Sequence, residues 1–161
     1  MTAPFLDSNV LVYTISKDSR AERAYDLLRN GYVLGVQTLN EFANVARRKF
    51  ELTWPEVSEA SARLAVHASS IMPTEIEDHR RSFQIAERHR LSIYDSLMLA
   101  IALRADCTTF YSEDLHHGLV VEDRLTVLNP SAELSPYFNS HSCSAALWNF
   151  HVRCGPAITL R

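Results

Sequence analysis

Four acidic residues stand where carboxylates could act together: Asp7 in "FLDSNVLVY", Glu41 in "TLNEF", Asp95 in "IYDSLMLAIALRA" and Asp114 in "FYSEDLHHG". Asp7 and Asp114 each follow a short apolar run, while Glu41 and Asp95 lie in the opening turns of helical patterns. Four carboxylates sharing one pocket repel one another strongly in a low-dielectric site unless cations neutralise them. Their donor atoms are all oxygen, with no paired His or Cys, which favours Mg2+ or Mn2+ over zinc. Such a site supports metal-assisted phosphodiester hydrolysis, in which one ion makes a nucleophile of bound water and another stabilises the leaving oxygen. No nucleophilic side chain is required.

Taken singly, each acid also has a structural explanation. Asp7, between a strand and a helix, suits a cap on exposed backbone N–H groups. Glu41 would complete a capping box with Thr38, and boxes are also expected at Thr53 with Glu56 and Thr74 with Glu77, with Ser92 and Asp95 as a looser version. Asp95 lies in a first helical turn, where the macrodipole favours negative charge, and Asp114 in "SEDL" suits a turn. Joint placement favours the functional reading, and that placement depends on the elements around the acids.

The runs "PFL" (4–6), "VLGV" (33–36), "CTTFY" (107–111) and "LTVL" (125–128) read as strands. Between them lie helical patterns: "SRAERAYDLLRN" closed by Gly31, "TLNEFANVARRKF", "WPEVSEASARLAVHAS", "EIEDHRRSFQIAERHR" and the apolar "IYDSLMLAIALRA". Strands alternating with helices predict an α/β fold, a mostly parallel sheet covered by helices on both faces. Ligand sites in such sheets form beyond the carboxyl ends of the strands. Asp7, Glu41 and Asp114 are therefore expected at one edge. Asp95 can join them because its helix runs antiparallel to the strand that follows.

With the four acidic motifs in this order over about the first 130 residues, the chain resembles PIN-domain nucleases, especially the VapC-type toxins of bacterial toxin–antitoxin pairs. The resemblance implies a PIN-like α/β/α sandwich over 1–130 in which Asp7, Glu41, Asp95 and Asp114 hold Mg2+ or Mn2+ and carry catalysis. It also makes Ser112 a supporting or ligating hydroxyl and Asn9 the organiser of the first turn. The implied activity is a divalent-metal-dependent endoribonuclease, with RNA as substrate, a small antitoxin as inhibitor and a homodimer as the expected assembly. Ser96 stands where family members often have Ala. Residues 131–161 have no counterpart in a minimal PIN domain, and their serine-rich, aperiodic composition predicts a poorly ordered or irregular extension.

The remaining features bound this reading. The net charge is −3, which argues against coating nucleic acid through bulk positive charge; setting four metal-binding acids aside leaves the rest of the chain slightly positive. No apolar run reaches the roughly 18 residues of a membrane span. The amino terminus does not read as a secretion signal, so a cytoplasmic location is expected. Cys107, Cys143 and Cys154 show no CxxC spacing and predict reduced, structural thiols. His116 and His117 read as loop residues rather than zinc ligands. Arg47, Arg48 and Lys49 suit a helix C-terminus, and Arg48, seven residues after Glu41 and on the same helical face, is a candidate RNA contact. Val57, Leu64, Phe83 and Ile85 are expected to pack in the core. An aspartate-nucleophile phosphatase would need a second Asp where Asn9 stands, and a receiver domain would need paired acids at the first strand. The alternative that survives is a non-catalytic PIN-like scaffold that binds RNA or protein partners.

Overall fold

The structure is a computed structural model that describes residues 2–132. The 131–161 extension, apart from its first two residues, lies outside the described residues, as do Cys143 and Cys154. The elements run β1 (Phe5–Leu6), α1 (Ser8–Tyr13), α2 (Ala21–Arg29), β2 (Val33–Gly35), α3 (Val36–Lys49), α4 (Trp54–His67), β3 (Ser70–Met72), α5 (Ile76–His89), α6 (Ile93–Arg104), β4 (Thr109–Tyr111), β5 (Val120–Val121) and β6 (Leu125–Leu128). One six-stranded sheet has the order β3-β2-β1-β4-β6-β5. It is parallel except for β5, which pairs antiparallel with β6.

Side chains alternate across the strands and so divide the core in two. Phe5, Val33, Phe110 and Val127 face α6 on one side, and the Phe5 and Phe110 rings stack at 5.3 Å. Leu6, Tyr32 and Leu34 face the other side, with Val10, Leu11, Leu27, Phe42 and Leu64 from α1 to α4. Buried Tyr32 donates its hydroxyl proton to the Leu64 carbonyl at 2.7 Å, which satisfies its one polar atom.

The α/β fold with a mostly parallel sheet is as expected from the alternation of elements. β3 and β5 escape sequence reading because each is only two or three residues long, too short to show a period. Helix starts also differ. The Thr53–Glu56 box is present, with the Glu56 carboxylate accepting from the Thr53 N–H at 2.7 Å. The Thr38–Glu41 box is not: α3 begins at Val36, Thr38 accepts from the Gly35 N–H, and Glu41 falls in the second turn. Nor is Thr74–Glu77, since Glu75 is the cap of α5 and its N–H is taken by Asp78. Phe83 is not in the core but more than half exposed, lying edge-on to His79.

Candidate functional site

Asp7 lies between β1 and α1, with the extended backbone of an N-cap. Its Oδ1 accepts from the Ser8 N–H at 2.6 Å, so it does cap the helix, but its other oxygen turns toward the strand beside it. Oδ2 accepts from the Ser112 hydroxyl at 2.6 Å and from Asn9 Nδ2 at 3.2 Å. Because β1 pairs with β4, both strand ends reach the same edge, and this register brings Ser112 to Asp7. The Asn9 amide also donates to Asp114 Oδ2 at 3.1 Å, and the Asp114 N–H donates to Ser112 Oγ at 3.2 Å. Ser8 Oγ is 3.0 Å from Glu41 Oε2 and 3.3 Å from Asp7 Oδ1, and its single proton can serve either carboxylate. Gln37, one turn before Glu41, holds the other Glu41 oxygen at 3.0 Å. Asp7, Glu41 and Asp114 are thus linked through neutral donors.

Asp7 is 4% exposed. Burial pushes its carboxyl up to about 6, hydrogen bonds from Ser112 and the Ser8 backbone oppose that rise, and the charges of Glu41 and Asp114 add to it. The ion pairs among the described residues involve other acids, including Asp18, Glu113, Asp78 and Glu122. None brings a cation to the four candidate carboxylates.

Asp95 enters from a different layer. Helix α6 has a buried residue on every face, from Ser96 through Leu103, since it lies between α5 and the sheet. It runs antiparallel to the strand it feeds, so its first turn lies toward the carboxyl edge. There Ser92 accepts from the Asp95 N–H at 3.1 Å and donates to Asp95 Oδ2 at 2.7 Å, the looser capping box expected from the sequence. No hydrogen bond joins Asp95 to the other three acids, and among the described residues no three His, Cys, Asp or Glu side chains form a ready metal-binding group. Hydrogen bonds thus link Asp7, Glu41 and Asp114, and Asp95 takes no part in that network.

Three supporting residues were not singled out from sequence: Gln37, which holds Glu41, together with Ser8 and Glu113. Ser8 bridges two acids, and its signal was its place beside Asp7. Glu113, beside Asp114, accepts from Tyr13 Oη, Arg20 Nη1 at 2.7 Å and Ser131 Oγ, tying the segment after β4 to α1 and the loop after it. Its partners come from distant parts of the chain, so nothing local marks it. His117 belongs to a loop, its Nδ1 accepting from the Asn129 N–H at 3.0 Å. Arg48 is exposed near the end of α3 and, with Asn44, Val45 and Lys49, lines a concavity of about 220 Å³.

These residues fit a hard divalent cation. Their donors are oxygens, Asp7 is a desolvated carboxylate without a cationic partner, and Asn9 Oδ1 is buried with no hydrogen-bond partner. A parallel sheet with interlinked acids at its carboxyl edge defines an α/β domain with an oxyanion-rich strand-end site. Residues 5–120 match the PIN domain, and the chain belongs to the PIN-domain family. No curated protein sequence matches. Among solved structures, a toxin–antitoxin complex from Klebsiella pneumoniae is similar at 16% identity and TM-score 0.61, covering 79% of this chain and 97% of that one. VapC20 of Mycobacterium tuberculosis, a sarcin–ricin loop cleaving toxin, is similar at 14% identity and TM-score 0.56, covering 66% and 85%. FitAcB from Neisseria gonorrhoeae is similar at 16% identity and TM-score 0.55, covering 79% and 97%. At these identities the likeness is one of fold.

Proposed function

We propose that this protein is a Mg2+- or Mn2+-dependent endoribonuclease and the toxin of a toxin–antitoxin pair. The observation that carries the reading is Asp7, buried at the strand edge without a cation and joined through Ser8, Asn9 and Ser112 to Glu41 and Asp114. Asp7, Glu41, Asp95 and Asp114 would hold the ions. Bound there, divalent cations supply an activated water and stabilise a leaving oxygen, the chemistry of phosphodiester hydrolysis. Ser112 and Asn9 fix the orientation of Asp7, Asn9 spans Asp7 and Asp114, and Gln37 steadies Glu41. The packed body of α6 gives Asp95 a stiff support, as a metal ligand needs.

The toxin role and an antitoxin partner are supported by family membership and by the toxin–antitoxin assemblies among the similar folds, and a homodimer and a cytoplasmic location belong to the same proposal. The testing experiment is cleavage of labelled total RNA with Mg2+ or Mn2+, comparing wild type with Asp95→Ala. Metal-dependent cleavage by wild type and its loss in the variant are expected. Cleavage that persists in the variant refutes the site; no cleavage by wild type with either metal favours the non-catalytic scaffold.

A further inference from the structure

We propose that the exposed indole of Trp54, backed by Arg47, is a platform on which an unpaired base of single-stranded RNA stacks, while Arg48 and Lys49, which follow Arg47 at the end of α3, take its phosphates. The proposal rests on the ribonuclease reading above and adds where the domain grips the strand. Trp54 is the first residue of α4 and is 65% exposed, a costly position for a large apolar ring. The ring is not loose. The Arg47 guanidinium lies 5.0 Å from its centroid, and Arg47 Nη1 is fixed in turn by donating to the Leu52 carbonyl. A guanidinium on one face leaves the rest of the indole open for a second flat partner.

The surroundings favour a polyanion over an apolar partner. Among the described residues Arg47, Arg48 and Lys49 take part in none of the ion pairs. Of the nearby acids in sequence, Glu51 is exposed and Glu56 is occupied by Thr53. Arg48 and Lys49 line the α3 concavity with Asn44. Glu41, Asn44 and Arg48 follow one another at helical spacing on one side of α3, so Arg48 stands about 10 Å along the axis from the acid edge. A strand seated at Glu41 and following this side reaches Arg48 and Lys49, next in the chain to the Arg47 that backs the indole. Aromatic rings interleaved with cations are what single-stranded nucleic acids bind.

The test uses the full chain carrying Trp148→Phe, which leaves Trp54 as its one tryptophan. It is titrated with an oligouridylate of about twelve nucleotides in chelator, so that binding is read without turnover. Saturable quenching of Trp54 emission is expected. In a labelled-RNA assay affinity should fall about 10-fold in Trp54→Ala and stay within about 3-fold in Trp54→Phe, while Arg48→Ala should flatten the salt dependence by about one unit. Absent quenching, or unchanged affinity in Trp54→Ala with an unchanged melting curve, overturns the proposal. So does emission that shifts with protein concentration alone, which would place a second copy on the ring. RNA cleavage that persists while Trp54→Ala binds normally defeats the platform and leaves the ribonuclease reading standing; absence of both binding and cleavage defeats both.

Discussion

Replacing Asp7 by Asn should stabilise the metal-free protein at neutral pH. The Asp7 carboxyl is held at about 6 in the folded chain, chiefly by burial, against about 3.9 when unfolded. Between these values the folded state keeps a proton that the unfolded state has lost, so stability falls as pH rises from about 4 to about 6 and stays lower above that. A shift of about two units corresponds to about 3 kcal/mol. Asn retains an oxygen for the Ser8 N–H, but its amide nitrogen only donates and accepts from neither Ser112 nor Asn9, which offsets about 1 kcal/mol. The net expectation is a gain of about 2 kcal/mol at pH 7.5, several degrees in Tm for a domain of this size. Because carboxylates such as Asp18 and Glu122 are held low and titrate in the opposite sense, the informative quantity is the difference between wild type and variant. That difference, from urea or thermal unfolding in chelator, should be near zero or favour wild type below pH 4 and favour Asp7→Asn above pH 6. Adding millimolar Mn2+ should raise the Tm of wild type and leave the variant unmoved, since only a site that binds the folded state stabilises it. A variant that is less stable than wild type across the whole pH range would refute the reasoning.

Other perturbations separate site from scaffold. Asp95→Asn keeps the Ser92 interaction at the start of α6, so its Tm should stay within a degree or two of wild type while metal-dependent RNA cleavage falls at least about 100-fold, as for other transition-state charge stabilisers. Arg104→Ala strips the partner from Asp78, whose side chain is 2% exposed, and should cost about 3 kcal/mol in urea unfolding, with Arg104→Lys recovering part of it. Leu99→Ala, at a fully buried position of α6, should cost about 3 kcal/mol by the same measurement, and a cost below about 1 would contradict its placement between α5 and the sheet.

The α/β class, most of the helices and the longer strands were legible in the residue pattern, because apolar periodicity and capping chemistry act within one turn or one strand. That pattern also placed Asp7, Glu41 and Asp114 at one edge, since strand ends in a parallel sheet share a side. Ser92 and Asp95 were readable as a cap for the same local reason. How the acids are connected was set by long-range packing. The Asn9 amide meets Asp114, Ser112 meets Asp7 and Ser8 meets Glu41 through pairings of residues 33 to 105 apart in the chain. Such bonds depend on strand register and helix docking, which no local pattern encodes. Helix α3 starting at Val36 rather than Thr38 is another case, because Gly35 at the end of β2 supplies the turn and moves Glu41 into the second turn. Phe83 and Trp54 show the same limit from the other side: helical spacing marks a side chain as apolar, but whether neighbouring elements cover it is settled by how the layers pack.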